Sequence, residues 1–294
     1  MIELLFGSCI IVAVIALTII PSIHFSKKYA FPKRRIIDDT PEKAGLSFNS
    51  VKFSDGAGEI KAWYIPAKDS DKIIIIVPGF GANKSVLLDL APPLHKEGFD
   101  LLMIDLRGQG ESDSGPCTFG VEESRTILAS IDWIKNNILT QRKRISIIGF
   151  SIGATAALIA STHSDKIDTI ISEGAIYNLN SVIKKGLKQA IGILGLIYYP
   201  IVGILYKHYT GISPKQVNLI DNSQDFKAKK IMIINDSLDK ISDIESAKMF
   251  YKKIKGGRTL WEVEGAQHSE AFYKNQEGFI QRVVEYIREV PNKN

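Results

Sequence analysis

Ser151 stands in the pentapeptide Gly149-Phe150-Ser151-Ile152-Gly153. Before it lies the β-branched run Ile145-Ser-Ile-Ile, and after it a run of small apolar residues reaches Ala160. The first run has the composition of a buried strand and the second that of a helix. A serine on such a strand-to-helix turn, with glycine on either side to relieve crowding, exposes its hydroxyl at a helix N-terminus. The helix dipole and free backbone N–H groups there favour developing negative charge, as attack on a carbonyl requires. A serine hydroxyl also needs a base, for which histidine suits with an ordinary pKa of about 6.5. A carboxylate must then orient that base. Three histidines follow Ser151 in the chain: His163, His208 and His268. His163 ends the helix that begins at the serine and points away from it, which reads as a cation at a helix C-terminus. His208 borders an apolar segment with no strand before it. His268 lies in a short loop after a strand candidate and is the expected base. Among acids, Asp236 and Asp239 both follow the strand candidate Ile231–Ile234, and Glu173 ends another. Asp236 reads equally as a turn residue.

The elements that must position these groups alternate. Strand candidates are Val51–Ser54, Ile60–Ile65, Ile73–Val77, Leu101–Ile104, the Ile145 run, Thr169–Ser172, Ile231–Ile234 and Leu260–Val263. Asp55-Gly56-Ala57-Gly58 makes a hairpin turn between the first two. A helix is expected from about Phe119 to Asn137, with Ile127, Leu128, Ile131, Trp133 and Ile134 inward. Strands alternating with helices mean an α/β fold with a mostly parallel central sheet flanked by helices. The glycine-rich turn Pro78-Gly79-Phe80-Gly81 lacks the Gly-Lys-Ser/Thr ending of a phosphate loop, and its other use is to aim backbone N–H groups at an oxyanion.

With 294 residues and 45% hydrophobic content, the chain can bury a sizeable core. The net charge of +5 comes from scattered or juxtamembrane residues, not from a basic stripe interleaved with aromatics, so nucleic acid is not an expected partner. The two cysteines, Cys9 and Cys117, support neither a disulfide framework nor a zinc site, and Cys117 reads as inert. Leu4 to Ser26 carries no charge, and as a helix would span about 34 Å, enough to cross a bilayer. A signal peptide fits less well, since only Glu3 is charged before the run and no A-x-A site follows. Residues 1–26 are therefore expected to be a single-pass transmembrane anchor, 27–49 a juxtamembrane linker and 50–294 the folded domain. Lys27, Lys28, Lys33, Arg34 and Arg35 behind the run place that domain in the cytoplasm by the positive-inside rule.

From about Ser50 to Val290 the chain resembles the α/β-hydrolase superfamily. The resemblance rests on the turn around Ser151, on Val77-Pro78-Gly79-Phe80-Gly81, on Asp105-Leu-Arg107-Gly-Gln109-Gly-Glu-Ser112, on the acid loop Ile234-Asn-Asp236-Ser-Leu-Asp239, and on Gly265-Ala-Gln-His268. Pro78 and Gln109 stand where the family usually has histidine. The nearest likeness is to membrane-anchored bacterial hydrolases of the serine-aminopeptidase and acyl-esterase type. The resemblance implies Ser151 as nucleophile, His268 as base and Asp239 as acid, with Asp236 and then Glu173 as weaker candidates. It also implies an oxyanion hole from the backbone N–H groups of Phe80 and Ile152, and no metal or organic cofactor. Asp105 and Arg107 are expected to pair and brace their loop.

Between the last strand before it and the acid loop, residues 175–226 form an insertion that becomes a helical cap. Its middle, Ala190 to Tyr206, is uncharged and rich in Ile, Leu and Tyr, and is expected to line an acyl pocket or to touch lipid. A second span there is excluded, because one crossing would separate Ser151 from Asp239 and His268. The expected function is a serine hydrolase cleaving carboxylic esters through an acyl-enzyme, acting on a small-molecule or lipid-like acyl ester. The alternatives are a peptidase or amidase of the aminopeptidase type, and a non-catalytic scaffold that binds a partner through its cap.

Overall fold

The computed structural model describes residues 17–138, 144–221 and 226–289. Its centre is an eight-stranded sheet in the order β1-β2-β4-β3-β5-β6-β7-β8. The strands are β1 Asn49–Ser54, β2 Glu59–Ile65, β3 Lys72–Val77, β4 Asp100–Ile104, β5 Arg144–Phe150, β6 Ile167–Glu173, β7 Lys230–Asp236 and β8 Gly257–Val263. The hairpin β1–β2 adds to the sheet antiparallel, and every pairing from β4 onward is parallel. In β3, Ile73, Ile75 and Val77 enter one core while Ile74 and Ile76 enter the other. That division is why the inner strands read as unbroken apolar runs: both faces are covered.

Helix α1 covers residues 17–30. After it come α2 Ala91–Lys96, α3 Glu123–Asn137, α4 Ile152–His163, α5 Leu179–Ile191, α6 Gly195–Thr210, α7 Ile244–Lys253, α8 Ala271–Lys274 and α9 Gln276–Arg288. Two expectations change here. Helix α3 begins four residues later than the apolar pattern suggested, because Phe119 and Gly120 have positive φ of 54° and 109°. The buried Glu123 carboxylate holds that turn, accepting from the Thr118 N–H and hydroxyl and from the Gly120 N–H. Asp105 does not pair with Arg107. It takes the buried Lys84 ammonium at 2.6 Å and the Lys84 and Glu111 N–H groups, while Arg107 lies 3.7 Å from Asp55 and 3.5 Å from Glu122. The loop is braced, by a different cation from the one expected.

The cap is α5 and α6 with short 3-10 turns at Gly192–Leu194 and Pro214–Gln216, closed at its base where Asn178 bridges Asn218. Strands β6 and β7, on either side of it in sequence, are hydrogen-bonded neighbours. Among the described residues, the stretch long and apolar enough to cross a bilayer is Leu179–Thr210, inside the cap and bent at Gly192, and not an N-terminal helix. The expected N-terminal transmembrane helix is thus not supported, and residues 4–16 of that run lie outside the described residues. What is described of it, α1, lies along the cap. The Ser26 hydroxyl donates to the Val202 carbonyl at 3.2 Å, and the Phe31 and Tyr209 rings meet edge to face at 5.8 Å. The segment read as a linker is fastened to the domain. The Cys117 N–H donates to Ala30 O, Arg34 reaches the Ser112 carbonyl, and Asn83 donates to the Arg35 and Ile36 carbonyls.

Candidate active site

Parallel strands present all their C-terminal ends at one edge of a sheet, so loops after different strands converge there. Ser151 follows β5 and caps α4 with φ 53° and ψ −116°. This is a costly backbone for a residue with a side chain, held by its surroundings. A Cβ on Gly149 would sit 2.6 Å from the Gly153 carbonyl oxygen, and one on Gly153 would sit 2.5 Å from that of Val77. Both glycines are therefore steric requirements of the turn.

Asp239 lies on the loop after β7 and His268 on the loop after β8. His268 Nε2 is 2.8 Å from Ser151 Oγ, and its Nδ1 is 2.6 Å from Asp239 Oδ2. The other oxygen of Asp239 accepts the Ile241 N–H at 2.7 Å and the Ser242 N–H at 2.9 Å. A buried carboxylate that takes two amides in this way is an acceptor on both oxygens, so Nδ1 carries the imidazole proton and Nε2 is free to accept from the serine. Three expected site residues are brought together in one hydrogen-bonded line. The oxyanion candidates adjoin them. Ile152 is the first residue of α4, where N–H groups lack intrahelical partners. Phe80 follows Gly79, whose α-carbon packs so near that a Cβ there would lie 3.3 Å from that of Ser151.

The other two acids lie behind the histidine loop. Asp236 Oδ2 accepts the Ser269 N–H at 2.8 Å, and Glu173 Oε1 accepts the Ala271 N–H at 2.9 Å. These amides come one and three residues after His268, so two buried carboxylates hold the backbone that follows it. The second oxygen of each is buried without a protein partner. Burial pushes the Asp236 carboxyl up to about 6 against the opposing pull of the Ser269 N–H, and the Asp239 charge adds to the rise. Burial and then the Asp236 charge hold the Glu173 carboxyl well above the ordinary range. His163 is at the end of α4, as expected, bonded within its own last turn. Cys117 is buried, and burial raises its thiol well above the usual value.

A cavity of about 520 Å³ opens onto Ser151 and His268. Its walls include Phe80, Phe119, Ile176, Val182 and Gly186, with Tyr29 from α1 and Tyr273 from α8. The Phe80 and Phe119 rings stack at 5.3 Å. The cap does line the site, but through α5. The Ala190–Tyr206 stretch singled out for this role is absent from the lining, and Ile197 within it is 63% exposed. Tyr29 and Phe119 carried no sequence signal as pocket residues. One follows the basic pair Lys27-Lys28 and the other sits in a turn that composition reads as helix.

A family model described as the alpha/beta hydrolase fold matches residues 72–192, from β3 to the end of α5. Among curated proteins, the uncharacterized protein YqkD of Bacillus subtilis is 24% identical over 234 residues, 78% of this chain and 75% of its own length. Among solved structures, the Pyrococcus furiosus esterase Pf2001 superposes with a TM-score of 0.76 at 23% identity, covering 89% of this chain and 98% of that one. The hydrolase GrgF from Penicillium superposes with a TM-score of 0.66 at 18% identity, over 83% and 98% of the two chains. Residues 72–192 thus match the alpha/beta hydrolase family model, and the fold of the described chain is the one these hydrolases share.

Proposed function

We propose that the chain is a serine hydrolase that cleaves carboxylic esters bearing an apolar acyl group. The observation that carries this reading is the unbroken line Ser151–His268–Asp239 at the floor of a mostly apolar cavity. Ser151 Oγ attacks the carbonyl carbon as His268 Nε2 takes its proton, and Asp239 keeps the imidazole in the tautomer that accepts it. The Phe80 and Ile152 N–H groups donate to the oxyanion, where loss of one such donor costs about 3–4 kcal/mol. His268 returns the proton to the leaving alcohol, the acyl group stays on Ser151, and water admitted through the same histidine releases it. We also assign the chain to the membrane through its N-terminal apolar run, with the domain on the cytoplasmic side.

The test is labelling by a fluorophosphonate probe followed by a panel of esters and amides of graded acyl length. Labelling at Ser151, with ester turnover rising from acetyl to octanoyl, is expected. Faster turnover of aminoacyl amides than of any ester would replace this reading with the peptidase one. Failure to label would leave the fold as a scaffold.

A further inference from the structure

The first described turn of α1 and the turn between α5 and α6 form an apolar tip that no described residue covers. Leu17, Ile193 and Ile197 are 67%, 68% and 63% exposed. The Tyr198 hydroxyl donates to the Leu17 carbonyl at 3.1 Å, so the two strips are one surface. Single exposed apolar side chains are ordinary on a folded protein, but a contiguous cluster marks a contact surface.

Charge says what kind. The sequence holds no Asp or Glu from residue 4 to 37, nor from 174 to 220, and all formal charge in both stretches is Lys or Arg. Lys27, Lys28, Lys184, Lys188 and Lys207 are exposed and lie back from the tip along their helices. At 1.5 Å per residue that is about 7–17 Å. An apolar tip below a belt of cations, with no acid in either stretch, matches a leaflet with anionic head groups. The tip enters the acyl region while the belt meets phosphate. Just upstream of Leu17 the sequence stays uncharged through residues 4–16. A bilayer suits an apolar tip whose chain continues into an apolar sequence and whose flanks are cationic, whereas a second protein would need both an apolar face and an acidic rim.

We propose that this tip is a membrane-docking surface which seats the cavity mouth on an anionic bilayer. Helix α5 joins the two, since Val182, Lys185 and Gln189 line the cavity and Ile193 follows about one turn later. Docking stands without the hydrolase reading, whereas delivery of a lipid ester to Ser151 rests on it.

The test uses the full chain in vesicles of phosphatidylcholine and phosphatidylglycerol at a 7:3 ratio, with Cys9→Ser and a nitroxide at Ile193→Cys or Ile197→Cys. A label at Lys252→Cys on α7 gives the aqueous reference. Oxygen should collide with the labels at 193 and 197 about tenfold more often, relative to a water-soluble nickel complex, than at 252. That preference should fall several-fold in pure phosphatidylcholine. Water access at 193 and 197 equal to that at 252 overturns the proposal, as does a chain that does not bind these vesicles. Dipolar broadening between labels on two chains would assign the tip to a second copy and overturn it too. Ile193→Glu with Ile197→Glu should cut turnover of a vesicle-embedded ester about tenfold and leave a soluble acetyl ester unchanged, which also shows that the variant folds. Immersed labels without turnover of any ester would sink the hydrolase reading and leave docking in place.

Discussion

Asp236 ends β7, Asp239 lies three residues on in the loop after it, and the two differ in what faces them. Asp239 reaches the imidazole and accepts two amides besides, whereas Asp236 turns inward to the backbone beside His268. Ser151→Ala and His268→Ala should each lower turnover by about six orders of magnitude, because such groups act as a unit. Asp239→Asn should cost about 10²–10⁴ by spoiling the tautomer. Asp236→Asn keeps an oxygen for the Ser269 N–H and should stay within a few-fold of the parent in kcat/KM. A larger loss at 236 than at 239 would reverse the acid assignment. Stability gives a second check. A carboxyl raised to about 6 when folded holds its proton there after the unfolded chain, with an ordinary value near 3.8, has lost it. The folded state then binds more protons across that window, so this group's contribution to stability falls as pH rises through it and stays low above. The Tm of Asp236→Asn relative to the parent should therefore climb between pH 4 and pH 7. An unchanged difference would mean that Asp236 ionises freely in the fold.

At the scale of elements, the cavity wall belongs to α5 and to the end of α1, while α6 lies behind them with its outer residues exposed. Each methylene fully buried in such a cavity contributes about 0.8 kcal/mol, so even partial loss of the wall should be visible. Val182→Trp fills the cavity and should lower the octanoyl-to-acetyl ratio of kcat/KM tenfold or more with acetyl turnover kept. Ile197→Glu should leave that ratio alone on soluble esters. Equal effects at both positions would return the acyl wall to α6. Helix α1 adds Tyr29 to the cavity and packs along α6. Deletion through residue 37 should then raise KM for octanoyl esters and lower Tm by several degrees, and deletion through residue 16 should do neither.

At the scale of the whole molecule, α5 links the cavity to the apolar tip: its Val182, Lys185, Gly186 and Gln189 line the cavity beside Ser151 and His268, and it leads into the exposed turn before α6. If the N-terminal run is an anchor, the full chain should remain with membranes through high-salt and carbonate washing. An impermeant thiol reagent should reach a cysteine placed near Asn294 only after the cells are opened. Labelling in intact cells would put the domain on the other face.

Read alone, the sequence determined the α/β class, the sheet strands and the positions of Ser151 and His268. Those features are local: an apolar run between turn residues is a strand wherever it packs, and Gly149 and Gly153 are demanded by a turn five residues long. Asp239 was chosen over Asp236 on the resemblance of its loop, since both follow the same strand candidate, and the path of the β8 loop is what brings the imidazole to Asp239. Phe119 and Tyr29 were not legible as cavity residues at all. An apolar side chain states that it will leave water, not which neighbour it will leave water against. For the same reason the cap was recognisable as a cap, but its inner and outer faces were not. That choice belongs to α1, which lies along α6 by contacts between residues that are 176 positions apart.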